Sequence, residues 1–389
     1  MSETVPLRVA LLTNFVQPYR LPFFQAIARK VSALTVFIAT PMEANRPWQP
    51  DHQDLDVVQQ RSFTWTGGWH HPRGFAEDVY VHVPYDTLWQ LWRWRPEVII
   101  SGQMGFQTTL ALIYRRLVPA CRLILWATVS DQSEQGRGRW RGWLRRLIVP
   151  RADAVLVNGE AGARYIRRFG IPEQKIFHVP YITQNEPFLA LPLSRPGAAA
   201  RRLLFSGQLI GRKGIDLFMD ALNAWALAHP HQEVEFWLLG DGPLKSRLEE
   251  TKRPENLHLR FLANIPYNEL PAIYAQAGIL AFPTLADEWG MVINEAMASG
   301  LPVLASAYSQ AVEELVTEGE TGWIFHPDRP DAIYNALDRA LTASPEHLDV
   351  MRAQARARLE PLTPAFAAER VLDALKFVSM DTFGQRPSH

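Results

Sequence analysis

The segment Phe282–Val303 reads FPTLADEWGMVINEAMASGLPV, and it decides the fold of the C-terminal half. An apolar run ends in a loop that carries Asp287 and Glu288, Gly290 opens a helix-like stretch, and a second apolar run follows. This order is typical of a parallel sheet, which binds its ligand beyond the carboxyl ends of its strands. We therefore expect the two acids of the loop, and Glu295 about two turns into the helix, to lie near a ligand.

A glycine-rich loop lies upstream of this block. The apolar run Leu203–Ser206 leads into GQLIGRKG at residues 207–214, and a helix-like stretch begins near Ile215. Glycines permit a tight turn between strand and helix, and the helix start together with Arg212 and Lys213 favours an anion. The loop predicts a diphosphate site, and the alternative is a solvated basic turn.

Two further strand ends are expected at the same edge of this sheet. Phe236–Leu239 ends in Gly240, and Leu257–Phe261 opens into Leu262 and Ala263, where backbone groups would contact a base. Each of these segments would also pass as an ordinary loop.

Acids in a first helical turn usually complement the helix dipole, although an inward-facing acid such as Glu295 is less simply explained.

Length and alternation predict the domain organisation. The 389 residues exceed what one core usually holds, and short apolar runs alternate with helical periodicities. We predict an α/β protein of two Rossmann-like, doubly wound parallel-sheet domains that face each other across a cleft. The predicted parts are an N-terminal acceptor domain at 1–185, a linker at 186–201, a donor domain at 202–364, and a C-terminal helix at 365–389 that packs back on the N-terminal domain.

Charge differs between the two halves of the chain. Residues 1–190 carry 22 Lys and Arg against 15 Asp and Glu, whereas the whole chain carries 40 of each. This asymmetry favours an anionic partner of the N-terminal half, or else mutual attraction between the domains. The lone Cys121, the acidic start and the lack of a long apolar run predict a cytoplasmic protein, with peripheral contact at the inner face of the membrane.

Residues 137–151 form a basic amphipathic pattern. Apolar side chains recur at helical spacing from Trp140 to Ile148, interleaved with five arginines between Arg137 and Arg146. Such a helix can dock on an anionic membrane. Alternatively, its apolar stripe packs on its own domain and the arginines are solvated.

Four motifs together resemble a known family. They are GQLIGRKG at 207–214, GDGP at 240–243, FPTLADEWGMVINEAMASGLPVLAS at 282–306 and ETGWIF at 320–325. This run resembles the donor domain of retaining GT-B glycosyltransferases, in particular glycosyltransferase family 4. Over residues 1–185 the likeness is limited to the strand and helix order and to ADAVLVNGE at 152–160.

The resemblance implies a role for each matched residue. Lys213 and a neighbouring arginine, Arg212, bind the donor diphosphate, Glu295 holds the ribose, and Asp287 or Glu288 holds the transferred sugar. The catalytic candidates are thus Asp287, Glu288, Arg212 and Lys213. The remaining members of the implied donor site are Gly207, Gln208, Gly240, Leu262, Ala263, Trp289, Gly290, Met291, Val292 and Glu295.

The chain departs from the family pattern at three places. Gln208 stands where the family commonly has an arginine, and Asp287 stands where it usually has a glutamate. No histidine follows the strand Leu123–Thr128. On the acceptor side, the candidates lie in loops after apolar runs and are Asn14, Gln17, Arg20, Gly102, Gln103, Thr128 and Asp131.

The implied reaction is transfer of a sugar from a UDP- or GDP-sugar to a glycan, lipid-linked or small-molecule acceptor, with retention and without a metal or other cofactor. His70 and His71 are interpreted as surface residues, and nucleic acid is not an expected partner. Two alternatives stay open, a nucleotide-sugar epimerase and a silent nucleotide-sugar-binding subunit. A glycosidase-like pair of apposed acids is the rival catalytic arrangement.

Overall fold

The computed structural model describes residues 4–43, 51–263 and 265–383. The chain forms two compact units. Unit 1 comprises Met1–His71, Glu77–Thr183 and Thr363–His389, and unit 2 comprises Pro72–Ala76 and Gln184–Leu362.

Unit 1 is built on a parallel sheet whose strand order is β3-β2-β1-β6-β7-β8-β9, with β4 and β5 forming a separate two-stranded sheet. The strands are β1 (Val5–Thr13), β2 (Val31–Ile38), β3 (Val57–Gln59), β4 (Ser62–His70), β5 (Ala76–Pro84), β6 (Val98–Ser101), β7 (Arg122–Ala127), β8 (Ala154–Val157) and β9 (Ile176–His178). The helices are α1 (Leu21–Ala28), α2 (Thr87–Trp94), α3 (Phe106–Leu117), α4 (Arg139–Ile148) and α5 (Glu160–Arg167).

The central strands of unit 1 are apolar on both faces because both faces are covered. Val9 and Leu11 of β1 belong to one buried cluster, whereas Ala10 and Leu12 belong to another. Alternate residues of a strand point to opposite faces, so these two clusters lie on the two sides of the sheet. This burial explains why the strands read as continuous apolar runs in the sequence.

Unit 2 has a six-stranded parallel sheet of order β12-β11-β10-β13-β14-β15. The strands are β10 (Leu203–Ser206), β11 (Val234–Leu239), β12 (Leu257–Leu262), β13 (Ile279–Phe282), β14 (Val303–Ser306) and β15 (Gly322–Phe325). The helices are α6 (Glu186–Leu189), α7 (Ile215–Ala228), α8 (Lys245–Glu250), α9 (Leu270–Tyr274), α10 (Met291–Ala298), α11 (Gln310–Leu315), α12 (Pro330–Thr342) and α13 (Pro345–Leu359).

Both sheets reverse their strand order at one point. The reversal lies between β1 and β6 in unit 1 and between β10 and β13 in unit 2. At such a point the following connections diverge to opposite faces and leave a crevice beyond the carboxyl ends of the strands. The loops after these four strands are therefore the places where each unit can hold a ligand.

Residues 186–201, the predicted linker, are packed within unit 2. Arg195 is buried, and its guanidinium donates to the carbonyl oxygens of Ala277 at 2.8 Å and Ser299 at 3.0 Å. Burial, followed by the charges of Arg352 and Arg356, lowers the pKa of Arg195 to about 10. The sequence reads as irregular because this segment is held by side-chain bonds to carbonyls, which leave no periodic pattern.

The C-terminal helix α14 (Pro364–Phe383) belongs to unit 1. Val371 and Leu375 join the same buried cluster as Val9, and Lys30 forms an ion pair with Glu369. Within unit 1, Cys121 is buried just before β7, and burial raises the pKa of its thiol to about 12.

Candidate active site

The loops after β10 and β13 meet at the reversal point of unit 2. Gly214 has φ +63°, and a Cβ there would lie 2.2 Å from the carbonyl oxygen of Pro283, so only glycine fits this approach. The backbone N–H of Leu285 donates to the carbonyl of Arg212 at 2.8 Å, and Arg212 Nη1 donates to the carbonyl of Ala286 at 3.1 Å. The two sequence motifs thus form one compact structure.

A cluster of opposite charges occupies this junction. Lys213 Nζ lies 2.5 Å from Asp287 Oδ2, and Arg212 Nη1 lies 3.7 Å from the same oxygen. Burial opposes ionisation of Asp287, but the charges of Lys213 and Arg212 outweigh it and lower the pKa of this carboxyl. The ion pairs hold both cations in place, and a diphosphate would find them already oriented.

Helix α10 begins beside this cluster. Its N-cap is Gly290, with φ +102°, where a Cβ would lie 2.6 Å from the ring of Phe282. No side chain of the described residues caps this helix end, and its first turn carries no acid. Met291 and Val292 are partly buried here, while Trp289 is buried and donates from Nε1 to Asn294 Oδ1 at 2.8 Å. The helix therefore presents backbone N–H groups that can receive a phosphate.

Glu295 is buried one turn further along α10 and is only 6% exposed. The hydroxyl of Tyr274 donates to Glu295 Oε2 at 2.9 Å. Burial raises the pKa of Glu295 to about 7, although hydrogen bonds from Tyr274 and Tyr267 act in the opposite direction. A carboxyl held in this way can accept bonds from ligand hydroxyls when it is ionised.

The other donor candidates divide into close and distant positions. Gly207 and Gly240 are in contact, since a Cβ on Gly240 would lie 2.0 Å from the carbonyl oxygen of Gly207. Gln208 and Glu288 are exposed. Leu262 and Ala263 follow β12, which is separated from β13 by β11 and β10. At about 4.8 Å between neighbouring strands, β12 lies roughly 14 Å from β13, so these residues would contact a remote part of a ligand.

Sequence reasoning missed three residues of this site. Tyr274 holds Glu295, and Arg73 Nη1 donates to the carbonyl of Leu285 at 3.0 Å. The Arg73 guanidinium also lies 3.7 Å from the ring centre of Tyr308, whose backbone carbonyl accepts from the N–H of Asp287 at 3.4 Å. Arg73 and Leu285 are 212 positions apart, so no local spacing could have revealed their contact.

Most acceptor-side candidates lie at the corresponding edge of unit 1. Asn14 and Gln17 follow β1, Gly102 and Gln103 follow β6, and Thr128 follows β7, which neighbours β6. All five are partly buried. Gln17 Oε1 is buried with no hydrogen-bond partner among the described residues. This edge therefore offers polar groups to a ligand.

Arg20 and Asp131 have different surroundings from those five. Arg20 is buried, and its guanidinium lies 4.5 Å from the ring centre of Trp126 and 4.7 Å from that of Tyr181. It is thus enclosed by aromatic rings instead of facing an open loop. Asp131 is exposed and forms an ion pair with Arg168 of the segment that follows α5.

Helix α4 matches neither sequence interpretation fully. Trp140 and Trp143 are 71% and 51% exposed and stack on each other at 4.8 Å, while Ile148 is buried. Arg145, expected to be a surface charge, is buried and bonds to Glu134 and the hydroxyl of Tyr165. That expectation was wrong because a partner carboxylate and a hydroxyl compensate this charge inside the unit.

The surface assignment of the histidine pair was half wrong. His70 is exposed at the end of β4, but His71 is buried, and its ring lies 5.3 Å from that of Trp69. Across residues 4–43, 51–263 and 265–383, no three His, Cys, Asp or Glu side chains are grouped so that they could hold a metal. None of the helices in this part of the chain combines the length and apolarity that a membrane crossing needs.

Two family models match the chain, one in each unit. The model described as "Glycosyl transferase 4-like domain" matches residues 22–181, and "Glycosyl transferases group 1" matches residues 200–343. The chain belongs to the group 1 glycosyltransferases. The GT-B fold predicted for this chain, with two Rossmann-like domains, is confirmed by the two parallel sheets and by the solved structures that the chain resembles.

Curated relatives of this group 1 glycosyltransferase are distant. One is the alpha-D-kanosaminyltransferase of Streptomyces kanamyceticus, which is 24% identical over 51% of this chain and 54% of the relative. Another is the D-inositol 3-phosphate glycosyltransferase of Corynebacterium urealyticum, which is 31% identical over 40% of this chain and 37% of the relative. The matched segment thus spans about half or less of these relatives' lengths.

A solved structure resembles this group 1 glycosyltransferase over nearly its whole length. The Anabaena protein HepE in complex with UDP has a TM-score of 0.70 and 15% identity, and the match covers 95% of this chain and 100% of that one. At this identity the likeness shows the fold alone.

Proposed function

We propose that this protein is a glycosyltransferase that moves a sugar from a UDP- or GDP-sugar to a glycan, lipid-linked or small-molecule acceptor, with retention and without a metal ion. The observation that carries the proposal is the cluster of Lys213, Arg212 and Asp287 at the reversal point of the unit 2 sheet, next to the start of α10, which no described side chain caps. Preorganised cations and helix amides are what a departing diphosphate requires.

Each residue of the cluster then takes a distinct role. Lys213, Arg212 and the first amides of α10 bind the two phosphates, and Glu295 accepts bonds from the ribose hydroxyls. Asp287 orients Lys213 and accepts from a hydroxyl of the transferred sugar. Support for a nucleotide donor comes from the family membership and from HepE, whose structure contains UDP.

The proposed step breaks the bond between the anomeric carbon and the diphosphate oxygen. The acceptor oxygen forms a new bond to that carbon on the same face, and its proton goes to the departing phosphate oxygen. No protein nucleophile takes part. Lys213 and Arg212 stabilise the negative charge that develops on the diphosphate, which is the main catalytic task in such a step.

The acceptor is proposed to contact unit 1 at the strand ends that carry Asn14, Gln17, Gly102, Gln103 and Thr128. The Oε1 of Gln17, which has no partner among the residues that the structure describes, supports this assignment, since a ligand hydroxyl would satisfy it. This edge carries amides and hydroxyls, which suit hydroxyl-rich acceptors such as glycans.

Peripheral contact with an anionic membrane is proposed through α4. Trp140 and Trp143 are exposed, and the exposed arginines Arg139, Arg146 and Arg151 lie on or just after the same helix. Amphipathic aromatic rings favour the membrane interface, and each exposed arginine near an anionic surface contributes about 1 kcal/mol.

A donor panel tests the proposed function. The protein is incubated with UDP- and GDP-sugars, with and without glycan and lipid-linked acceptors, and products are identified by mass spectrometry. A glycosylated product that needs the acceptor supports transfer. Release of nucleotide with an isomerised sugar and no acceptor identifies an epimerase, while tight donor binding without turnover identifies a silent subunit.

Metal independence has its own measurement. The transfer rate in excess EDTA should equal the rate without chelator, because Lys213 and Arg212 supply the charge that a metal would otherwise provide. Dialysed enzyme without chelator is the control. Loss of turnover in EDTA that Mg²⁺ or Mn²⁺ restores contradicts this part of the proposal.

A further inference from the structure

Unit 1 contains a basic cavity that the roles proposed above leave unused. It has a volume of about 440 Å³ and lies between the segment after β7, helix α4 and the end of α5. Its lining includes four arginines and two carboxylates, a net charge of +2, and these residues are Arg137, Arg141, Arg145, Arg168, Asp131 and Glu134.

The deepest arginine is held rigidly and incompletely satisfied. Arg145 is only 6% exposed, and its guanidinium is bonded by Glu134 and by the hydroxyl of Tyr165 at 2.8 Å. Its Nε is buried with no hydrogen-bond partner within the described part of the chain. A buried donor without a partner costs stability, so a ligand acceptor that reaches this atom is favoured.

The start of α4 adds to the positive potential. Gly138 is its N-cap, with φ +86°, and a Cβ on Gly138 or Gly142 would meet nothing within 4 Å. No acid occupies the first turn, and no described side chain caps this end. The positive end of the helix dipole and the guanidinium groups therefore act on the same open space.

This combination selects for a particular ligand chemistry. Guanidinium groups bind phosphoryl oxygens through paired N–H donors, and a doubly charged terminal phosphoryl group balances the net charge of +2. The exposed, stacked Trp140 and Trp143 lie on the helix whose Arg141 and Arg145 line the cavity. An aromatic surface beside an anion site suits a phosphoryl group at a membrane interface.

We propose that this cavity binds a terminal phosphoryl group, either of a lipid headgroup or of a soluble phosphomonoester. The lipid case rests on the membrane contact proposed above. It specifies that the lipid bound there carries a terminal phosphoryl group in its headgroup. The arginines supply the bonds, and the two tryptophans supply the interfacial contact when a lipid carries the phosphate.

Vesicle sedimentation with the full chain tests this inference. Phosphatidylcholine vesicles contain either phosphatidic acid, a phosphomonoester, or phosphatidylglycerol, a phosphodiester, at matched surface charge. We expect about tenfold tighter binding to phosphatidic acid, the scale of one added charged hydrogen bond. Arg141→Gln and Arg168→Gln should abolish this preference. Arg139→Gln and Arg146→Gln, matched exposed positions outside the lining, should weaken binding to both lipids equally.

A soluble arm separates the two sources of the phosphate. Binding of glycerol 3-phosphate is measured by calorimetry in the Lys213→Ala background, which removes the cation proposed for the donor diphosphate. If glycerol 3-phosphate binds, and this binding needs Arg141 but is unchanged in Trp140→Ala, the ligand of the cavity is a soluble phosphomonoester. If glycerol 3-phosphate does not bind, and Trp140→Ala loses vesicle binding, the ligand is a lipid headgroup. Asp131→Asn removes one negative charge from the lining and should therefore increase the affinity for either ligand.

The outcomes separate this inference from the membrane proposal. Equal binding of the wild type to both anionic vesicles, with no glycerol 3-phosphate binding, keeps the membrane contact and overturns the cavity assignment. No binding to either vesicle and no soluble binding overturns both. Retained phosphatidic acid preference in Arg141→Gln and Arg168→Gln also overturns the assignment, because the lining would then not be responsible.

Discussion

The parallel sheets of the two units each reverse their strand order at one point, but the charged residues near them are arranged differently. At the reversal point of unit 2, Lys213 and Arg212 are compensated by Asp287, and Glu295 is held by Tyr274. Helix α4 of unit 1 instead combines exposed tryptophans with an arginine-rich cavity. The same topology therefore carries two kinds of surface, because a fold fixes where loops gather and the loop residues fix the chemistry.

The largest effect that we expect from the compensated site is a pH dependence of stability. The pKa of Glu295 rises from 4.5 to about 7 on folding, so the folded state binds more protons between these pH values. The contribution of Glu295 to the free energy of unfolding is complete below about pH 4.5 and is lost as the pH rises through about 7. The free energy of unfolding changes by about 3 kcal/mol over this range because of Glu295.

Denaturant unfolding from pH 4 to 8 measures this effect in the wild type and in Glu295→Gln. The free energy of unfolding of the wild type should fall more steeply across this range than that of the variant. Glu320→Gln, at an exposed turn in unit 2, is the control and should follow the wild type. Parallel curves for all three proteins contradict the buried, protonated state of Glu295.

Lys213→Ala should lower transfer by about 100-fold, the scale of losing one positioned charge in a desolvated site. Lys252→Ala changes an exposed lysine of the same unit and should have no effect. Initial rates at saturating donor measure the loss. Near-normal turnover of Lys213→Ala would contradict the catalytic role proposed for this cluster in unit 2.

Asp287→Asn should lower transfer by about tenfold, because it weakens the bond to Lys213 and the proposed contact with the donor sugar. Glu288→Gln, at the adjacent exposed position, should change the rate less than about twofold. The ranking of kcat/KM between the two variants is the measurement. The reverse ranking would assign the sugar contact to Glu288.

Arg73→Ala should have the smallest effect, about fivefold, because one hydrogen bond to the carbonyl of Leu285 is worth about 1 kcal/mol. Arg73 bonds to the loop carbonyl of Leu285, so we assign it a role in positioning the loop. We therefore expect Arg73→Ala to raise the KM for the donor and to leave the pH dependence of the transfer rate unaltered. Arg61→Ala, at an exposed residue just before β4, is the matched control. A loss confined to kcat would show that Arg73 acts on the reaction itself.

The sequence predicted the strand-rich core well, and the reason is burial. The apolar run Leu203–Ser206 is a strand with the same bounds in the structure, because strands covered on both faces need continuous apolar residues. The glycines at 214, 240 and 290 also marked real close approaches, since a Cβ at each would lie too close to a neighbouring atom.

Long-range contacts could not be predicted in the same way. The bond from Arg73 to Leu285 and the burial of Arg145 depend on which segments meet in space, and neither leaves a periodic signal. Residues 186–201 read as a linker because the buried Phe188 and the carbonyl bonds of Arg195 hold them without a repeating apolar pattern. Charged groups that satisfy one another inside a unit look like surface residues in a sequence.

We expect the buried Cys121 to react only slowly with thiol reagents. It is the chain's single cysteine, it is 1% exposed, and the pKa of its thiol is raised to about 12. Since the thiolate is the reactive form, maleimides should leave the folded protein unlabelled at neutral pH. A cysteine introduced at an exposed site such as Trp143 would then carry a unique fluorophore, and slow modification of Cys121 itself would report transient opening of unit 1.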